Sequence, residues 1–462
     1  MRPTPRPYRM LRAACCALSM CASLSEGEPP IAVLGAGVIG CSVAYHLMLM
    51  GAPSVMLIEQ ERPAVGASGK AGGFLAESWG DGRVTERLHR ASFQMHEELA
   101  ITLGLRSYRR LRTLRAGRRN VGSPEAEAAL ADRAVSWLDG EGVYSDVMDD
   151  DTAQVDPAEL TAALLQAACE RGATLRIGEV VGVTTTPTGG EEEGGAARRA
   201  SAIQLADGTQ LPCRALVVAL GAWSCRVEDW LGVPMPLEGV LSTSLVWQGA
   251  GSSAGASAGA SAGASAGASA GISAGPSAEE AEATGLAPLT SEPAAVFCEE
   301  DMRGCKLELY PRANGDLYVA GCGGARLVGT AALRAGDVPP GATNDPDASR
   351  VAAAEASVAE LTSVVGGGRG RSDRQQACMR PATPDGAPII SGIPGCDGAY
   401  IAAGHNAWGI TWAPVTGRAV AELVLQADAS TVNLKPFSAR RFDTLTHRAL
   451  LKTRAPPELK PE

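Results

Sequence analysis

The sequence predicts an α/β fold, α+β overall, in which a Rossmann-like dinucleotide-binding domain is interrupted by a strand-rich insertion. Two observations predict it. Residues 31–59 read as strand, glycine turn, helix, strand and terminal acid. A further strand-and-helix unit returns over 388–425, after a long middle region of strand patterns.

The first unit is the more informative. An apolar strand at 31–34 runs into a G-x-G-x-x-G turn, and each glycine has a physical task. Gly35 permits the tight turn, Gly37 lets backbone approach a pyrophosphate, and Gly40 lets the helix lie close to the sheet. The phosphates then face the positive end of the helix. Val38 and Ile39 lie inside the same turn. Glu59 ends the second strand, 19 residues past Gly40, where a carboxylate can take ribose hydroxyls. Gln60 follows it. A glycine-rich turn with no ligand is the plainer alternative, but both strands, helix and acid in register favour an adenine dinucleotide.

A small-residue loop covers 60–78, and a helix is expected over 84–103, with Leu88, Phe93, Leu99 and Leu103 among charged residues. Asp156 and Pro157 form a helix start, an acid at the cap and proline in the first turn. Gly172 closes that helix. A strand is expected over 175–183, a polar hairpin insert over 184–200, a strand over 202–205, a turn at Asp207-Gly208 and a buried strand over 215–220. Residues 241–247 have strand character. The tandem Ser-Ala-Gly units of 253–275 cannot build a core and are expected to be disordered. A hairpin is expected around Asn314-Gly315, a helix over 347–364 and a glycine-rich break over 366–370. Short strands at 388–391 and 399–402, a loop over 404–409 and a closing helix over 411–425 complete the pattern.

Composition excludes several classes. The chain has 462 residues, enough for a large core, and a net charge of −10 with no basic stripe, which argues against a nucleic-acid partner. No apolar run reaches the roughly 18 residues of a membrane span. The 12 cysteines lack CxxC spacing and the five histidines form no ligand motif, so reduced thiols and no metal are expected. The arm 1–29 is arginine-rich and free of acids before Glu26. A transit peptide, a weak secretory signal and an untargeted disordered arm all fit it. An intracellular protein follows, in the cytoplasm or in an organelle matrix if the arm is a transit peptide.

The two ends of the chain together resemble the FAD-dependent oxidoreductases of the D-amino-acid oxidase superfamily, in particular the glycine oxidase and sarcosine oxidase branch. Four blocks carry the resemblance: 31–59, the loop 67–73, the strand and glycine of 216–223, and 378–390 with 400–411. The last block is the most specific. The resemblance implies an FAD-binding domain from 30–120, 150–235 and 375–426, with an inserted antiparallel-sheet substrate domain over 236–374. That insert carries a disordered segment at 249–290, and 427–462 is a tail. Besides the first-unit residues, it implies FAD contacts from Ser68, Gly69, Lys70, Gly72 and Gly73. Val181, Gly221, Trp223 and Cys378 belong to the same expected set. Gly404, His405, Gly409, Ile410 and Thr411 complete it at the closing helix.

The resemblance also implies chemistry. Arg380 matches the carboxylate-binding arginine of glycine oxidase, and a guanidinium fork suits a carboxylate; a structural ion pair is its other reading. Cys378 matches the cysteine that tethers FAD in monomeric sarcosine oxidase, and either tethering or a packed core thiol fits it. Lys70 places a cation near the flavin or faces solvent. Tyr310 closes over substrate or packs in the core. His405 acts near the ring or holds a tight loop. The activity implied is oxidation of an amino-acid or secondary-amine C–N bond by hydride transfer to flavin, with imine hydrolysis and reoxidation by O2, giving H2O2, or by another acceptor. An oxygen-avoiding dehydrogenase of the same superfamily stays open. So do a flavin-bound interaction protein with little turnover and an NAD(P) dehydrogenase, although the last leaves 378–411 unexplained.

Overall fold

The computed structural model describes residues 28–119, 133–192, 195–250, 288–338, 345–365 and 370–442. The Ser-Ala-Gly repeat, most of the N-terminal arm, residues 366–369 and the tail beyond 442 lie outside the described residues.

Strand β1 (Ile31–Leu34), helix α1 (Val38–Leu49) and strand β2 (Val55–Glu59) form the expected first unit. Every residue of β1 is buried, as an apolar run covered on both faces should be. β1 lies between β2 and Ala215–Val218, parallel to both. The complete sheet has six strands, in the order Ile389–Gly392, Ala399–Ala403, Ala215–Val218, β1, β2, Thr174–Ile177. Only Ile389–Gly392 runs antiparallel to its neighbour. Side chains alternate across this sheet. Ile31, Val33, Val55 and Leu57 meet α1, Pro157–Glu170 and Gly409–Gln426 on one face. Ala32, Leu34 and Ile58 meet a smaller sheet on the other, through Val180, Ile203 and Leu205. Asp156 caps Pro157–Glu170 as expected, accepting from Ala158 N at 2.9 Å and Glu159 N at 3.0 Å.

A nine-stranded sheet lies beside this unit. Its main path is Arg326–Val328, Glu238–Trp247, Leu317–Ala320, Glu308–Pro311, Ala294–Cys298, Arg109–Arg118, Val143–Gln154 and Phe74–Ala76. Arg374–Ala382 pairs with Glu238–Trp247 off that path, over nine residue pairs. Helix Ala348–Leu361 covers the far face, where Val351, Val358 and Leu361 pack on Trp247, Leu309 and Val319. The near face carries Tyr310 and Tyr318 and looks toward the first unit.

Several expectations change. The strand expected over 175–183 is two strands in different sheets, Thr174–Ile177 and Val180–Glu192, separated at Gly178. The expected polar insert of 184–200 is the outer part of one continuous hairpin, Val180–Glu192 with Gly195–Leu205. The closing helix starts at Gly409, not at 411. Division by chain position also differs from division by sheet. Phe74–Ala76, Arg109–Arg118 and Arg374–Ala382, all expected in or beside the nucleotide domain, are strands of the nine-stranded sheet. The beginning of the expected tail joins the core through buried Phe437 and Phe442. Among the described residues no helix is long and apolar enough to cross a membrane.

Candidate active site

A cavity of about 1360 Å³ runs between the two large sheets, from the glycine turn to the near face of the nine-stranded sheet. At the glycine turn the spacing has steric reasons. Gly35 has φ +95°, and a Cβ there would sit 2.5 Å from the Ala219 carbonyl oxygen. A Cβ on Gly40 would sit 1.9 Å from the Gly35 carbonyl oxygen, so Gly40 serves packing and does not line the cavity. Gly37 meets only Ser68 Oγ, at 3.1 Å, and stays open to the cavity. It is the N-cap of α1 and offers no side-chain acceptor, and the first turn of α1 has no acid. Ser68 Oγ accepts from Val38 N at 3.0 Å, so one hydroxyl occupies a helix end otherwise open to an anion. Glu59 sits where the strand ends; Oε2 accepts from Ala36 N at 2.9 Å and Oε1 from Glu61 N at 3.2 Å. Val38, Ile39 and Gln60 line the same end.

The small-residue loop forms one wall. Gly72 and Gly73 line it; a Cβ on Gly72 would strike the Tyr310 ring at 2.6 Å, and one on Gly73, at φ +82°, the Val155 carbonyl oxygen at 1.9 Å. Gly69 packs on Ala64 and does not line the cavity. Lys70 is half-buried outside the lining, and Nζ donates to the Ala377 carbonyl at 2.8 Å. Burial lowers the Lys70 pKa, aided by Arg62 and opposed by Cys378 and Glu61. Lys70 thus ties the loop to the strand that carries Cys378 and Arg380.

That strand and its neighbours supply the polar end of the cavity. Cys378 and Arg380, two apart on Arg374–Ala382, both line it, while the side chain of Met379 between them packs in the opposite core. Arg380 Nη2 donates to Ser242 Oγ at 3.1 Å and Nη1 to Asn406 Oδ1 at 3.3 Å. Both acceptors are neutral. Cys378 is buried, and burial raises its thiol pKa against the pull of Arg380 and Lys70. Tyr310 is 4% exposed, stacks with Phe74 at 5.7 Å, and donates its hydroxyl to Glu308 Oε2 at 2.7 Å. Burial pushes its pKa well above the ordinary value, with the Glu308 charge adding to it.

The closing helix points its N-terminus at the cavity. Gly409 and Ile410 line it, and the first turn contains no acid. Thr411 lies behind, its Oγ1 donating to the Phe74 carbonyl at 3.1 Å. Gly404, at φ +80°, packs on Thr383 outside the lining. His405 reaches the cavity edge but is 2% exposed, with Nε2 on Thr416 Oγ1 at 3.2 Å; burial alone lowers its pKa to about 3. The ring is a neutral support of the helix rather than a group poised to move protons. Gly221 and Trp223 line the opposite rim, Trp223 Nε1 donating to the Val338 carbonyl at 3.0 Å. Val181 does not line the cavity and is 39% exposed; its neighbour Val180 is buried and does. A period of two puts adjacent residues on opposite faces, so a one-residue error reverses the assignment.

Sequence reasoning missed Glu308, Tyr318, Ser242, Ser244 and Phe297, all cavity-lining. For Glu308 the signal was alternation. Glu308 and Tyr310 are two apart on one strand, and Leu309 between them packs in the core on the far face. Ser242 and Ser244 have the same spacing on Glu238–Trp247. Among the described residues no three His, Cys, Asp or Glu converge as a metal site.

Curated relatives match over short stretches. "Putative oxidoreductase TDA3" of Saccharomyces cerevisiae is 44% identical over 81 residues, 16% of this chain and 15% of that protein. "Sarcosine dehydrogenase, mitochondrial" of Mus musculus is 26% identical over 230 residues, 45% of this chain and 24% of that protein. The matches therefore span a quarter or less of each relative's length. The fold matches far more of the chain. Glycine oxidase from Geobacillus kaustophilus superposes with a TM-score of 0.64 at 20% identity, covering 89% of this chain and 98% of that one. The profile of the family described as "FAD dependent oxidoreductase" matches residues 30–253 and 252–423, nearly the whole described chain, and the protein belongs to that family.

Proposed function

We propose that the protein binds FAD across the cavity and oxidises the C–N bond of a small amine or amino acid. The observation that carries the reading is one continuous cavity joining the α1 N-terminus, the small-residue loop and the Gly409–Gln426 N-terminus to an arginine and tyrosines. FAD, when bound, supplies the acceptor for the two electrons of the substrate C–H bond and passes them to O2 or another acceptor.

The residues fit that group. Gly35 and Gly37 leave backbone bare where a pyrophosphate would lie, and Glu59 ends β2 where ribose hydroxyls would lie. Gly72, Gly73 and Gly409 leave room for a flat ring. The open N-terminus of Gly409–Gln426 favours negative charge facing it. Arg380 is positioned to hold a substrate carboxylate by its fork, steadied by Ser242 and Asn406. Phe74, Phe297, Tyr310 and Tyr318 enclose the substrate end and exclude water. Cys378, a buried thiol, has the character of a packing residue, so FAD is held without a covalent bond. The glycine oxidase neighbour and the mouse relative, named sarcosine dehydrogenase, point to the same substrate class.

The test is the visible spectrum of the FAD-loaded protein before and after anaerobic addition of glycine, sarcosine, D-alanine and L-proline. Bleaching by one of them supports the reading. Acid precipitation should release the flavin into the supernatant. A folded protein that takes up no FAD overturns the reading; flavin retained in the pellet, and released by Cys378→Ala, overturns the non-covalent part alone.

A further inference from the structure

Among the charged residues that line the cavity, Arg380 and Glu308 form no ion pair with each other. Arg380 donates its hydrogen bonds to two neutral oxygens, Ser242 Oγ and Asn406 Oδ1. Glu308 lines the same cavity and receives only the Tyr310 hydroxyl, on Oε2. Among the described residues its Oε1 has no protein donor, and no ion pair within 4.0 Å joins Glu308 or Arg380 to any partner. A half-buried carboxylate and a half-buried guanidinium, each without an ion pair and both lining one cavity, form a site with two poles. Such groups are costly unless a ligand supplies the missing charges.

The geometry points to Glu308 as the group that receives the substrate's ammonium, opposite Arg380 on the carboxylate, so that the site takes an amino-acid zwitterion rather than a simple amine. This rests on the proposed oxidation and adds the proton step that it needs. A protonated amine has no lone pair to stabilise the forming imine. Glu308 Oε1 accepts one N–H proton, the carboxylate becomes the acid, and the nitrogen keeps the electron pair. The Cα–H hydrogen then passes with both bond electrons, as hydride, to the FAD that the proposed activity supplies, leaving the iminium, and Glu308 returns its proton to solvent after product departs.

The surroundings suit a proton acceptor. Loss of solvation raises the Glu308 pKa, against the opposing pulls of the Tyr310 hydrogen bond and of the Arg380 and Lys306 charges. The other titratable groups that feel its charge are the hydroxyl of Tyr318 and the thiols of Cys298 and Cys322, from three neighbouring segments. Tyr310 fixes one carboxylate oxygen and leaves the second for substrate. Residues 308 and 310 can act together because both face the cavity from one short strand.

The test uses FAD-loaded protein reduced with dithionite, so that binding is measured without turnover. Glycine, sarcosine, D-alanine and L-proline are titrated calorimetrically against acetate, which keeps the carboxylate and lacks the amine. Wild type should bind its best amino acid about tenfold or more tighter than acetate. Glu308→Gln should erase that margin and leave acetate binding unchanged. In the oxidised protein the same variant should bleach about 100-fold more slowly at pH 7, recovering as pH rises toward the pKa of the free amine. Glu308→Asp should retain part of the rate. A Gln variant that keeps the amino-acid margin overturns the inference, as does one that loses acetate equally while keeping its FAD. If Glu308→Gln fails to fold, Glu308→Asp decides: an unchanged rate and pH profile overturns it. A wild type bleached by a simple amine such as benzylamine but by no amino acid overturns the inference alone, and one bleached by neither overturns the parent reading as well, which separates the two failures.

Discussion

His96 donates from Nε2 to the Ile410 carbonyl at 3.0 Å and shares that proton with the Thr411 carbonyl at 3.1 Å. The reason lies one turn further on. Pro414 sits inside Gly409–Gln426 and has no N–H, so the Ile410 carbonyl loses its helical donor. Ser92, one turn before His96 on Glu86–Leu103, accepts from Val415 N at 3.3 Å. Two side chains of one helix therefore repair the break in another, at the turn whose N-terminus lines the cavity.

Removing His96 should consequently harm the cavity and not only the core. His96→Phe leaves a buried carbonyl unpaired and should cost roughly 1–3 kcal/mol. The FAD content of the purified variant should fall with it. Pro414→Ala returns an N–H to the Ile410 carbonyl, so the double variant should recover much of the loss. Urea midpoints of the four proteins form the cycle, and strict additivity would show that the two residues are independent.

The three glycines of the turn should separate by role. Gly40→Ala drives a Cβ into the Gly35 carbonyl, backbone against backbone, and should cost about 3 kcal/mol or more. Gly37→Ala meets only the movable Ser68 hydroxyl, so its fold should hold to within about 1 kcal/mol. It should nevertheless retain at least about tenfold less FAD, because its Cβ enters the phosphate approach. Denaturation midpoint and flavin-to-protein ratio, measured on both, decide this.

Legibility in the sequence follows locality. β1, α1 and β2 are readable because glycine turn, apolar runs and acid are neighbours in the chain. Arg109–Arg118 is not: arginines alternate with Leu111 and Thr113, and a β-bulge then shifts the pattern to Leu114 and Ala116. Val143–Gln154 hides behind a run of three aspartates. Arg374–Ala382 reads as a motif rather than a strand, because its nine pairings are all to residues more than 120 positions away. Arg380 is therefore found from resemblance, whereas Glu308 needs the strand's facing. The Gly409 helix start is displaced by two residues because the 3-10 turn Asn406–Trp408 leads directly into it.

Arg380 should control carboxylate recognition without controlling the fold. Its hydrogen-bond partners are two neutral oxygens on the cavity surface, so Arg380→Met breaks no ion pair. Loss of a charge-assisted fork is worth about 1.5–3 kcal/mol, which is roughly a 10- to 150-fold rise in KM for an amino acid. Amines without a carboxylate should be unaffected. Equal loss for both kinds of substrate would place Arg380 in the framework instead.

Acid should weaken the fold before it protonates most carboxylates. His96 and His46 have pKa values lowered to about 4 and His405 to about 3, in each case chiefly by burial. The unfolded chain takes up these protons near pH 6.5, so between the two values protonation favours unfolding. The stabilising term is complete above 6.5 and is lost as pH falls. At pH 5 a histidine shifted from 6.5 to about 4 costs about 2 kcal/mol. His46 is the cleanest probe, because its Nε2 is buried with no partner. His46→Phe removes the titration and an unsatisfied atom while keeping an aromatic ring beside Tyr45. The urea midpoint of wild type should fall steeply from pH 7 to pH 5, and that of the variant less so. Parallel profiles would show that His46 finds a proton partner in the folded state.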